Sequence, residues 1–327
     1  MRRFLALIAI PLLACVVLAG CGSSKPAASA SSSSSSSAAA NTSVTATGSF
    51  GQSPKVSIPK AKAGSKLTVR TLVQGTGATY TKSDALAANF VLYFWSGTSS
   101  AQKASTFGAS PTLIPSATLP GLETALVGQK IGSRVLAVIP PALGYGVSGN
   151  SQLGVPAATT LVFVIDLLKA YNNTEGATGK QVSNGGGTLP TVSAKAGSAP
   201  TLTFSSSSPP SGLVTKTLIK GNGPAVAKGD YVIVQYVGYI WRTKKPFTSG
   251  SSSWSAGSPV GVVIGASPSQ VIPGWDKGLV GQTVGSRVML SIPPADGYGS
   301  TGSSQAGIKG TDTLVFVVDI IDALKLG

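Results

Sequence analysis

Apolar and polar positions fall into distinct regimes along the chain. Phe4 to Val17 is an almost unbroken apolar run behind Arg2 and Arg3. From Gly22 to about residue 52 the pattern dissolves into Ser and Ala, with Ser31 to Ser37 uninterrupted. Such a stretch has too little apolar surface to bury and reads as a spacer. Beyond it, short apolar segments bounded by Gly or Pro recur in two regions. In the later one, Tyr231 to Tyr236, Arg287 to Ile292 and Thr313 to Ile320 are rich in Val, Ile and aromatic residues, which predicts strands. Phe316 and Val318 alternate with Val315 and Val317, the period of a half-buried strand. After Val271-Ile272, Pro273 stands near a first helical turn and Gly281 past its end, so one short helix is expected there. Gly and Pro are too frequent for long helices. These elements predict an α+β fold, an antiparallel β-sheet wrapped over one short α-helix.

The two regions are tandem copies. Gly128-Gln129-Lys130-Ile131-Gly132-Ser133-Arg134-Val135 matches Gly281-Gln282-Thr283-Val284-Gly285-Ser286-Arg287-Val288. Ile139-Pro140-Pro141, Gly144-Tyr145-Gly146 and Thr160-Leu161-Val162-Phe163 recur at the same offset of 153. Upstream, Thr71-Leu72-Val73 recurs as Thr217-Leu218-Ile219 at an offset of 146, and Tyr93 aligned with Tyr236 gives 143. On that alignment the second copy carries ten more residues between the tyrosines and the Gly128/Gly281 blocks. The expected layout is a cleaved segment 1–20, a tether 21–52, a degenerate domain 53–170, a flexible linker 171–198 and a second domain 199–327. Pro54-Lys55-Val56-Ser57 and Pro200-Thr201-Leu202-Thr203 are expected to add an outer strand before each domain.

Charge and composition narrow the chemistry. The balance is 25 Lys and Arg against 10 Asp and Glu, a net +15, but only 11% of residues are charged and no basic block stands out. Nucleic-acid binding wants a concentrated stripe, so this excess suits weak attraction to an anionic envelope instead. No histidine is present. Hydrolytic triads that need it are excluded, no Cys/His cluster offers a metal site, and no carboxylate pair has convincing acid–base spacing. Gly75-x-Gly77 and Gly221-x-Gly223 lack the Gly-Lys-Ser/Thr that holds phosphates, so no nucleotide or other cofactor is expected. A basic start, a short apolar stretch and Leu18-Ala19-Gly20 before Cys21 read as a secretory signal. The tetrad resembles the lipobox of bacterial lipoproteins, which implies diacylglycerol on Cys21 and lipid anchoring on the outer face of the cell membrane. No coiled-coil pattern or obligate apolar interface stands out, so a monomer is expected. An ordinary signal peptide or an uncleaved anchor is the alternative. Cys15 would leave with the signal, so disulfides play no part in the folded regions.

The second copy resembles the FK506-binding-protein type of peptidyl-prolyl cis-trans isomerase. Val234-Gln235-Tyr236-Val237-Gly238, Phe247, Gln270-Val271-Ile272-Pro273-Gly274-Trp275-Asp276-Lys277-Gly278-Leu279, Ile292-Pro293-Pro294, Gly297-Tyr298-Gly299 and Thr313-Leu314-Val315-Phe316 carry the resemblance over about residues 212 to 325. It implies a proline pocket of Tyr236, Phe247, Val271, Ile272, Trp275, Tyr298, Ile308 and Phe316. Trp275 would floor it, Ile272 N–H and the Tyr298 hydroxyl would bind substrate carbonyls, and Tyr236, Phe247 and Phe316 would wall it. The family usually has Asp where Thr248 follows Phe247, and a flap aromatic where Val260 stands. In the first copy the implied counterparts are Tyr93, Phe107, Leu122, Tyr145, Val155 and Phe163, with Gly121-Leu122 in place of Gly274-Trp275. The resemblance implies prolyl isomerisation in the second copy, weak or no activity in the first, proline-containing segments of exported proteins as partners, and weak macrolide binding. The residues suit that chemistry. The X–Pro amide loses its resonance as it twists, and a dry aromatic pocket favours the twisted form without nucleophile, general base or metal. A proline-peptide binding module without useful turnover is the competing reading, and a purely structural spacer is a third.

Overall fold

In the computed structural model, residues 41–116, 118–194 and 197–325 are described. The expected signal segment 1–20, Cys21 and most of the tether lie outside them. Among the described residues no helix is long and apolar enough to cross a membrane.

The first copy opens with a hairpin of β1 (Thr45–Thr47) and β2 (Lys55–Ser57). Its main sheet is built from β3 (Thr68–Val73), β4 (Asp84–Ser96), β5 (Ser99–Ser105), β6 (Thr112–Ile114), β7 (Arg134–Ile139) and β8 (Thr160–Asn172). The order is β3-β7-β8-β4-β5, with β6 on β4, and helix α1 (Pro120–Leu126) packs on β7. The second copy holds β9 (Lys180–Gln181), β10 (Thr191–Ser193), β11 (Thr201–Thr203), β12 (Val214–Lys220), β13 (Tyr231–Ile240), β14 (Lys245–Pro246), β15 (Val260–Val263), β16 (Arg287–Ile292) and β17 (Leu314–Leu324). Here the order is β14-β13-β17-β16-β12-β9, with β15 on β13. Helix α2 (Ser253–Ala256) follows β14, and α3 (Pro273–Leu279) packs on β16. All pairings are antiparallel, so each copy has the expected sheet over a short helix. Proline opens α1 and α3, where its missing N–H costs nothing.

Both faces of each sheet are covered. Strand alternation gives one apolar set to the helix side, with Leu122, Leu126, Phe163 and Ile165 in the first copy and Trp275, Leu279, Phe316 and Val318 in the second. The opposite set is covered by the outer hairpins. Val44, Ala46 and Val56 pack with Trp95, Leu136 and Val162, while Val192, Leu202 and Phe204 pack with Trp241, Met289 and Val315. The two expected outer strands, β2 and β11, therefore each gain a hairpin partner. The chain departs from the expected layout at the tether and at the linker. The C-terminal end of the tether is built into the fold from residue 41: Asn41 exchanges hydrogen bonds with the Gly64 backbone and Val44 is buried. The segment read as a flexible linker is paired and packed against the second copy. Its β9 joins β12, and the Thr178 and Gly179 N–H groups both donate to the Gly285 carbonyl. Its Gly-rich composition reflects positive φ at Gly185, Gly186 and Gly187, which lead into β10.

The hydrogen-bond register also corrects the alignment of the copies. Phe90 pairs with Ile165, and Tyr236 pairs with Val318. Ile165 and Val318 share the offset of 153, so Phe90 is the positional match of Tyr236, at 146. Both strands bulge at matching sites, between Ala87 and Ala88 and between Ile233 and Val234. The insertion in the second copy is therefore seven residues, the difference between these offsets, and not ten.

The copies touch directly. Lys169 Nζ and the Tyr171 hydroxyl meet Asp322 Oδ2 at 2.6 and 2.8 Å. Beneath them Ala87, Tyr171, Tyr231, Ile233 and Val263 form a shared apolar cluster.

Candidate proline-binding site

Four aromatic rings meet on the helix side of the second sheet. Phe316 on β17 lies opposite Gly238 on β13, and Tyr236 projects from the same face two residues earlier. Trp275 rises from the first turn of α3 and is 5% exposed. Its ring stands edge-on to Tyr236 and to Phe316, with both centroid distances 5.4 Å and interplanar angles of 81° and 88°. Phe247 closes the box against Phe316 at 5.3 Å and 72°. Edge-to-face contacts of this kind fix ring positions as well as burying area. Ile308 is buried in the same cluster, and Val271 and Ile272 pack against it half-buried. Seven of the eight residues that the resemblance implied belong to or pack against this cluster, and Tyr298 lies close enough for its phenol to act on that of Tyr236.

The polar groups are few and placed at the rim. The Ile272 N–H, immediately before α3, has no acceptor among the described residues. Tyr298 lies between short 3-10 turns and is 36% exposed. Partial burial pushes its phenol above the ordinary value. Burial does the same to Tyr236, with a smaller contribution from Tyr298 nearby. The Tyr236 hydroxyl donates to the Gly250 carbonyl at 2.9 Å. Thr248, where the family pattern has Asp, has another task. Its hydroxyl donates to the Gln305 carbonyl at 2.9 Å and its N–H to Ala306 at 3.2 Å, which ties down the loop bearing Ile308. Val260 on β15 packs half-buried against the same core.

The first copy has a different surface. Leu122, Val155 and Phe163 are buried together, with Tyr145 packed at their edge. The expected Tyr93 and Phe107 are not part of it. Both pack on the opposite face of the sheet, where the Tyr93 hydroxyl donates to Gln102 Oε1 at 2.9 Å and the Arg134 guanidinium lies 5.5 Å from the Phe107 ring. For Tyr93 the reason is alternation: it stands three residues from Phe90 on β4, and an odd step along a strand reverses the side a residue faces. Phe90 takes the wall position instead, 5.8 Å from Phe163. It was findable from the 146 offset of the preceding Thr71/Thr217 block.

A model of the FKBP-type peptidyl-prolyl cis-trans isomerase family matches residues 77–168 and again 223–321. The chain belongs to this family. An FK506-binding protein of Streptomyces anulatus is 38% identical over 118 residues, 36% of this chain and 91% of that protein. A peptidyl-prolyl cis-trans isomerase FKBP9 of Rattus norvegicus is 28% identical over 204 residues, 62% of this chain but 28% of that longer protein. Among solved structures, AtFKBP13 is 32% identical, with 35% of this chain and 94% of that one covered and a TM-score of 0.31. Both matched segments hold a sheet and helix of the FKBP type, and the aromatic box with Trp275 occurs in the second. No group of three or more metal-ligating side chains occurs among the described residues.

Proposed function

We propose that the second domain isomerises X–Pro bonds of exported proteins beside the membrane, and that the first domain turns over slowly or not at all. The observation that carries this is the box of Trp275, Tyr236, Phe316 and Phe247, with the Ile272 N–H before α3, unpaired among the described residues, and Tyr298 near Tyr236. A proline ring seated on Trp275 leaves the preceding carbonyl free to swing in a water-poor space. The planar amide loses the water that stabilises it, while rim donors meet the carbonyls of the twisted form. That difference in binding lowers the barrier without any covalent step. Support for the first domain's lesser role is Leu122 at the floor position and Leu92 opposite Phe163, where the second domain has Gly238 opposite Phe316. The apolar run, Cys21 and the tether support export and lipid anchoring.

The test is proline-limited refolding of a model protein with the full chain at micromolar concentration. The expected result is acceleration that Trp275→Ala abolishes. A rate equal to the uncatalysed one overturns the isomerase reading. If proline peptides still bind while the rate stays flat, the site is a holding module, a reading that Thr248 in place of the family Asp favours.

A further inference from the structure

The matching wall aromatics Phe90 and Tyr236 are held by the same device. In the first domain the Phe90 N–H donates to the Thr106 hydroxyl at 2.9 Å, and that hydroxyl donates to Asn89 Oδ1 at 3.1 Å. In the second the Tyr236 N–H donates to Ser253 Oγ at 2.8 Å, and Ser253 Oγ donates to Gln235 Oε1 at 2.5 Å. The device fills a gap in the sheet. On the outer side of β13, β15 pairs only as far as Val234, and the next pairing is a lone bridge of Val237 to Ser252 before β14 at Tyr239. The Tyr236 N–H would be left without a strand partner, and the serine hydroxyl supplies one.

The copies differ in one respect. Asn89 suffices for the device in the first domain, whereas the second uses the longer Gln235, which is fully buried. The extra methylene carries its Nε2 to the Asn173 carbonyl at 2.8 Å. Asn173 directly follows β8, the last strand of the first domain. Its own side chain donates to Ser116 Oγ at 3.0 Å, and that hydroxyl reaches the Gly257 carbonyl at the end of α2. Helix α2, which bears Ser253, is thus held by the first domain at its C-terminal end and, through Gln235, at the serine.

We propose that Gln235 and Ser253 are positioning residues of the second domain's pocket, and that through Asn173 the docked first domain fixes the place of the Tyr236 wall. This rests on the reading of that pocket as a proline site. It gives the first domain a task that needs no pocket of its own. A buried amide and hydroxyl that merely satisfy each other would need neither the longer side chain nor a carbonyl from the segment that leaves the first domain.

Tyr236 grips the proline ring in planar and twisted states alike. Loosening it removes uniform binding, which raises KM and leaves kcat nearly unchanged. Full-chain variants test this with an X–Pro tetrapeptide. Ser253→Ala is expected to raise KM by about two- to tenfold, the span of one net hydrogen bond. Ser253→Thr restores the hydroxyl and should return KM to near the starting value. Gln235→Asn keeps the bond to Ser253 but loses the reach to Asn173, and should raise KM in the same direction by a smaller factor. Should Ser253→Ala lose its fold, as read by circular dichroism, Gln235→Asn carries the test. Unchanged KM in Gln235→Asn and Ser253→Ala overturns the proposal, as does a drop confined to kcat. If the chain binds the peptide without turnover, the isomerase reading fails separately. The same variants must then weaken peptide affinity by these factors, and unchanged affinity overturns the positioning role.

Discussion

A Cβ on Gly238 would stand 2.6 Å from the Phe247 ring and 2.9 Å from that of Phe316. The aromatic box exists because position 238 has no side chain. In the first domain the matching position, opposite Phe163, is Leu92, and it packs into the core there. Gly238→Ala is expected to push Phe247 off its edge-on contact and to destabilise the second domain by about 1–3 kcal/mol, the usual range for overpacking. Proline-peptide affinity should fall at the same time. Urea denaturation and peptide titration read the two effects. An alanine variant with native stability and affinity would show that Phe247 is free to move.

The floor residue allows a reciprocal comparison. Trp275→Leu makes the second domain's floor like the first. It removes the edge contacts to Tyr236 and Phe316, and should lower kcat/KM by about 10- to 200-fold, the span seen when apolar pocket contacts are lost. Leu122→Trp, the converse change, should confer no activity, because Leu92 and the short segment before α1 remain. Gly121 already has the Ile139 side chain 2.3 Å from where a Cβ would lie, so the helix has little room to retreat. Refolding assays on both variants decide the point, and activity gained by Leu122→Trp in a Trp275→Leu background would refute it.

Much of this arrangement was legible in the residues themselves. Trp275, Ile272 and Phe316 sit in contiguous motifs, and all three join one apolar cluster. The sheet and helix followed from apolar runs with Gly and Pro at their ends. Tyr93 escapes a local reading because pairing register, which decides the face a residue points to, is a long-range property. Phe107 looked like a pocket wall by residue type, yet its ring lies over Arg134 on the far side of the sheet. The connection after Tyr171 reads as a linker because its strands are two and three residues long and carry little apolar signal. What orders it is hydrogen bonding to groups far along the chain, such as Ala177 N–H to Asp319 Oδ2 at 3.0 Å, and local composition does not encode that.

The pocket's pH dependence should be flat across the neutral range. Its titratable walls are Tyr236 and Tyr298, both pushed above the ordinary phenol value chiefly by burial. A raised phenol pKa favours the neutral form in the folded state. The associated stability is complete below the unfolded value of about 10 and is lost only as pH rises through the folded one. At the acid end, the Arg242 side chain bonded to Asp312 holds that carboxyl below its usual value. A lowered carboxyl contributes stability above its unfolded pKa of about 3.9 and loses it as pH falls through the folded pKa. Peptide kcat/KM should therefore stay constant from about pH 6 to 9. A bell-shaped profile within that range would require a titrating group in the pocket and would overturn a mechanism that uses no general acid or base.

A buried ion pair is repeated in both domains. Arg134 and Asp166 face each other on β7 and β8 and make a two-pronged ion pair at 2.6 and 2.7 Å, as do Arg287 and Asp319 on β16 and β17. In each copy the aspartate also accepts a backbone N–H from the segment that precedes the domain, Gly51 in one and Ala177 in the other. Arg134 adds bonds to the Gly48 and Gln52 carbonyls, so the outer hairpin is latched to the sheet through a buried charge. Asp166→Asn strands that guanidinium at 1% exposure, and removing one partner of such a pair costs about 3–5 kcal/mol. Asp319→Asn should cost less, because the Arg287 side chain keeps 11% of its surface in water. Replacing both partners, as in Arg134→Met with Asp166→Leu, should recover much of the loss, since neither charge is then buried alone. Urea midpoints of the three variants supply the measurement. A single Asp166→Asn variant as stable as the parent would mean that water reaches Arg134 and that the pair is not what holds the hairpin.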